Sequence, residues 1–134
     1  MAQRDTVLRW IEQLGRLVAR LLHGGNAGGF EAAREPIAAA TAALLGSLAL
    51  LAPKLDSASA AELLRDPQRI FGWAQLLDLE AVVLEAEGKA ADATEVRQRA
   101  IELAREAVRR ADPDRPDWSA WLADRVSPTD VPPA

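Results

Sequence analysis

The chain has 134 residues, no cysteine and a formal net charge of −4. That length suits one domain with a real core, and the missing cysteines exclude disulfides, thiolate metal sites and thiol catalysis. The mild, mixed charge argues against a dedicated nucleic-acid binder, which carries a basic excess.

Hydrophobic residues make up 49% of the chain and aromatics only 4%, and no run of alternating β-branched residues competes with the helix formers, so the expected class is all-α. The opening segment is polar and charged, not an apolar signal core. The longest apolar candidate, 37–53, carries Thr41 and Ser47 and is bracketed by Pro36 and Pro53. A cytoplasmic protein with no membrane span is the expectation.

The first helix is expected from about Thr6 to His23, with Asp5 as N-cap and Gly24-Gly25 as the stop. On a helical wheel Leu8, Trp10, Ile11, Leu14, Leu17, Val18 and their apolar neighbours cover half the circumference. Arg9, Glu12, Gln13, Arg16 and Arg20 fill the rest. So wide an apolar arc needs two packing elements or a second subunit. Leu8, Trp10, Ile11, Leu14, Leu17 and Val18 are therefore the candidate homodimer interface. His23, the single histidine, sits where a helix dipole favours a cation and reads as a cap, not a ligand.

Residues 24–29 form a glycine-rich linker without the Gly-Lys-Ser/Thr ending of a phosphate loop. A second helix, 30–45, contains Pro36, which implies a kink or a true start at Glu35, and Gly46 ends it. The apolar stretch 47–55 forms another turn or two. Ser57 or Ser59 caps a short third helix reaching Arg65, with Glu62 completing a capping box. Asp66-Pro67 then opens a fourth helix to about Glu87 that is apolar nearly all round and belongs at the centre of the fold. Its carboxylates, Asp78 with Glu85 and Glu80 with Glu87, lie seven apart along two edges. They read as solvent boundaries in preference to a cation or acid–base site.

Gly88 joins this helix to a fifth, Ala90 to Ala111, whose apolar stripe includes Ala93, Ala100, Ile101, Leu103, Ala104 and Ala107. Arg97 falls inside that stripe. A guanidinium there needs Asp78, Glu85 or the faces of Trp118 and Trp121, or else serves as an anion or peptide-carboxylate contact. Pro116 opens a last short helix whose Trp118 and Trp121 either close the end of the helical stack or meet a partner. The segment 127–134, with three prolines, is expected to be disordered.

Ala81, Gly88, Ala93, Ala100, Ile101 and Leu103 together resemble one tetratricopeptide repeat unit spanning about 73–111, with Arg97 where such units carry an aromatic. The run Asp5-Thr6-Val7-Leu8-Arg9-Trp10-Ile11-Glu12-Gln13-Leu14, with Leu44-Leu45-Gly46 and Gly88, is similar to a family of short bacterial helical proteins with a tetratricopeptide-like C-terminal half. The resemblance implies a fold and no chemistry.

The expected molecule is a single helical domain, 1–126, of five or six helices. Its expected role is non-enzymatic: a protein–protein interaction or self-associating scaffold, with Arg97, Trp118 and Trp121 as candidate partner contacts. A small-molecule or peptide groove beside Arg97 is the alternative. No nucleophile–base pair or metal cluster assembles from the sequence, and no cofactor is implied.

Overall fold

The computed structural model describes residues 2–24 and 30–126. Six α-helices account for most of them: α1 (Ala2–Gly24), α2 (Phe30–Leu45), α3 (Ser57–Leu64), α4 (Pro67–Ala86), α5 (Ala90–Arg110) and α6 (Pro116–Arg125). Two short 3₁₀ turns, Gly46–Leu48 and Ala52–Lys54, link α2 to α3. The described residues contain no strand, so the all-α class holds. No helix among them is long and apolar enough to cross a membrane. The linker at 25–29 and the segment 127–134 lie outside the described residues.

Helix α4 is the central element, as its all-round apolar sequence predicts. It packs against α1 and α2 on one side and against α3 and α5 on the other. Its start follows the Asp66-Pro67 signal: the Asp66 carboxylate accepts from the Gln68 amide at 3.0 Å, and proline fills the first helical position, where no intrahelical N–H bond is lost. Its end is a Schellman turn at Gly88. The Gly88 amide bonds the Glu85 carbonyl at 3.0 Å and the Lys89 amide bonds the Leu84 carbonyl at 2.9 Å. Gly88 has φ +84°, a conformation that favours glycine, and open space surrounds the position a Cβ would take.

The chain then turns back as α5. Ala74 and Ala81 of α4 and Ala93, Ala100, Ala104 and Ala107 of α5 are all buried, so the two backbones approach closely along the hairpin. A second close approach occurs at Gly72, where an added Cβ would stand 3.2 Å from Leu44 Cδ2 and 3.6 Å from Ile11 Cδ1. Gly72 therefore sets how tightly α1 and α2 sit on α4.

Two local expectations need correction, and one alternative closes. Helix α1 begins at Ala2, so Asp5 lies inside it and is not its N-cap. Helix α2 has the expected span Phe30–Leu45 with Pro36 inside it, so the alternative start at Glu35 falls away. The carbonyl that proline leaves unbonded belongs to Ala32, an exposed residue that water reaches. Helix α3 is capped by Asp56, not by Ser57 or Ser59: the Asp56 carboxylate accepts from the Ser59 amide at 3.3 Å. Hydrogen bonding from Ser59, first its side chain and then its backbone, holds the Asp56 carboxyl below the ordinary aspartate range. The Ser57 hydroxyl is engaged elsewhere, donating to Glu102 Oε1 of α5 at 2.7 Å.

Candidate functional site

The wide arc of α1 meets two elements of its own chain. Ile11, Leu14 and Val18 are buried with Phe30, Ala33, Ile37 and Ala40 of α2 and Leu76 and Val83 of α4, and Trp10 and Leu17 pack against the same cluster. The candidate dimer interface is thus mostly interior. Of its six residues only Leu8 stays substantially open, at 38% exposure.

Arg97 reaches across the hairpin to Glu85, with Nη2 and Oε2 2.9 Å apart. Both side chains keep contact with water, so Arg97 is a snorkelling, paired arginine at the edge of the stripe. Asp78, its other expected partner, faces α6. Asp78 is 8% exposed and accepts from Arg125 Nε at 3.2 Å. The remaining carboxylates of α4 are also met by arginine: Glu87 pairs with Arg34 of α2, and Arg34 lies close enough to Glu80 to act on it electrostatically. Desolvation nevertheless pushes the Glu80 carboxyl above its ordinary value. Among the described residues no three His, Cys, Asp or Glu side chains gather as metal ligands would.

Trp118 and Trp121 fasten α6 to the hairpin. Trp118 is 5% exposed and stacks on Phe71, with ring centroids 4.6 Å apart and an interplanar angle of 12°. Trp121 meets Phe71 edge-on at 5.2 Å and 70°. Arg115 lies 4.6 Å from the centre of Trp118 and Arg125 lies 3.9 Å from that of Trp121, which places a cation over each indole. Trp118 is therefore covered by its own chain and closed to a partner. Arg97 and the tryptophans form no single site, because Glu85 and Phe71 are 14 residues apart on α4, about 20 Å along the helix axis.

Among the described residues the most exposed large apolar side chain lies elsewhere, on the connection between α2 and α3. Leu50 is 85% exposed and Leu51 48%. This connection is held on both flanks by arginine. On the α2 side, Arg69 of α4 donates from Nε to the Leu44 carbonyl at 2.7 Å and from Nη2 to the Leu45 carbonyl. On the α3 side, Arg99 of α5 donates to the Ala52 carbonyl at 3.2 Å while lying 5.3 Å from the centre of the Trp73 ring. Burial lowers the Arg99 pKa, and Glu102 and Asp56 oppose that shift.

Sequence reasoning missed both the leucine pair and its arginines. One signal was available. The apolar run 48–52, five residues closed by Pro53 and Lys54, is too short for a core helix. Comparison with protein-family models, with curated proteins and with solved structures found no match to this chain.

Proposed function

We propose that this chain is a non-catalytic, cytoplasmic protein–protein interaction module of tetratricopeptide-like type, and that its contact surface is the α2–α3 connection. The observation that carries the reading is Leu50, 85% exposed on a backbone fixed from both flanks by Arg69 and Arg99. Apolar side chains held in place and open to water suit a protein contact, because they lose little conformational freedom on binding. The polar residues that might have argued for chemistry are engaged in structure: Arg97 with Glu85, Asp78 with Arg125, and Ser57 with Glu102.

The test is parallel affinity capture from source lysate with the wild-type chain and with Leu50→Asp. Proteins retained by the first and lost with the second support the reading. Identical recovery with both chains sinks it.

A further inference from the structure

Within itself the backbone from Gly46 to Lys54 is stitched by short-range bonds. Ala49 N bonds Gly46 O at 3.1 Å, Leu51 N bonds Leu48 O at 3.1 Å, and Lys54 N bonds Leu51 O at 3.0 Å. These tight turns point Leu48, Ala49 and Ala52 into the core beside Leu45 and leave Leu50 and Leu51 outside. The arginine bonds at Leu44, Leu45 and Ala52 then keep the outward pair from folding back. Leu50 and Leu51 are a preformed apolar knob.

A receptor for such a knob follows immediately along the chain. Leu55, Ala58 and Leu63 line an open depression of about 690 Å³ on α3, with Glu62 and Arg65 also on its wall. Its wall is more apolar than polar, and it is shallow and open enough for leucine side chains to lie against it. Charge matches as well. Lys54, beside the knob, is exposed and makes no ion pair among the described residues, while Glu62 in the groove is 80% exposed and meets Arg110 only at 3.4 Å.

We propose that the occupant of the α3 groove is a second copy of this chain, joined about a twofold axis. Leu50 and Leu51 of each copy seat between Leu55, Ala58 and Leu63 of the other, with Lys54 beside Glu62. Knob and groove both belong to the segment 50–65, so each copy carries both halves of the contact, as an isologous dimer requires. This proposal rests on the interaction reading above and names the partner. Its footprint is at the small end of specific interfaces, about 1,000 Å² in total, so association is expected to be weak and concentration-dependent.

The test is sedimentation equilibrium of the full chain from low micromolar to near-millimolar concentration. Wild type is expected to shift from monomer to dimer. Leu50→Asp, which breaks the knob, and Ala58→Glu, which fills the groove with charge, are each expected to weaken the dimer at least tenfold. Because both positions are exposed, their thermal midpoints should match wild type, which separates lost association from lost folding. Leu8→Asp, on α1, should leave the dimer intact.

A wild-type monomer throughout overturns the proposal, as does a dimer unchanged by Leu50→Asp and Ala58→Glu or one abolished by Leu8→Asp. Monomeric protein that floats with anionic lipid vesicles through Leu50 also overturns it and assigns the knob to a bilayer. Failure here with Leu50-dependent capture of a different protein would leave the interaction reading standing. Failure of both would remove it.

Discussion

The two sides of α4 are packed with different materials. Toward α1 and α2 the interior is almost wholly aliphatic, built on Ile11, Leu14, Val18, Ile37, Leu76 and Val83, with Phe30 as its one buried aromatic. Toward α3, α5 and α6 it keeps large aliphatic members, Leu45, Leu64, Ile70 and Leu103, and adds small and flat side chains: Ala60, Ala61, Ala74, Ala104 and Ala107 beside Phe71, Trp73 and Trp118. Arginines crowd the second side, over Trp73, Trp118 and Trp121 and against backbone carbonyls at both ends of the α2–α3 connection. Truncating an enclosed aliphatic side chain should be costly on either side. The alanine side should suffer when atoms are added or a charge loses its partner.

The largest effect expected is a truncation of that kind. Leu76, fully enclosed, should cost about 2–5 kcal/mol when truncated to alanine, read as a lowered urea midpoint. A loss below about 1 kcal/mol would mean that this side collapses around the cavity. On the alanine side the informative change runs the other way. Ala104→Leu should cost about 1–3 kcal/mol through overpacking between α4 and α5, whereas the same change at the exposed Ala38 of α2 should be close to neutral.

A smaller effect tests the ion pair that holds α6. Arg125→Met strands the Asp78 carboxylate in a nearly closed site. The cost should be about 1–2 kcal/mol, below that of a fully buried pair because Arg125 itself still touches water. Removing Asp78 as well, with leucine, should recover most of that loss in a double-mutant cycle. No recovery would show that Arg125 acts mainly through Trp121 and its carbonyl, which it also bonds at 3.1 Å.

The weakest effect concerns pH, and the two sides differ in sign. Glu80, beside Arg34 of α2, has a raised folded pKa, so the unfolded chain releases its proton first and stability falls as pH rises through the carboxylate range. Glu80→Gln should remove that fall and raise the midpoint at neutral pH. Asp56, at the start of α3, has a lowered folded pKa, so its contribution is present above the ordinary aspartate range and is lost as pH drops. Asp56→Asn keeps a capping oxygen and should flatten the acid limb only. Thermal midpoints of both variants across the acid-to-neutral range would check the opposite slopes.

What the sequence made legible follows the same division. Period-3.6 patterning located α1, and an all-round apolar run located the central α4. Asp66-Pro67 marked a helix start, and Gly88 marked the hairpin, because each of these signals acts within a few residues. The arginine contacts were invisible for the opposite reason. Arg69 meets carbonyls 24 and 25 positions away and Arg99 one 47 positions away, and a carbonyl leaves no trace in side-chain chemistry. Leu50 and Leu51 do not stand out within the apolar stretch 47–55, since composition alone does not tell an inward leucine from an outward one. Arg97 drew attention as an oddity within a stripe, yet a long side chain at the stripe's edge reaches Glu85 without leaving water.

Because α4 gives one wall to each interior, neither half of the molecule is self-sufficient. Cutting the chain between α2 and α3 would separate Ile11 and Ile37 from Leu76 and Val83, leaving the N-terminal piece without a floor and the C-terminal piece with an uncovered apolar face. Heat should therefore take the whole chain apart in one step, with calorimetric and van't Hoff enthalpies equal, even though one interior is far richer in aromatic rings than the other.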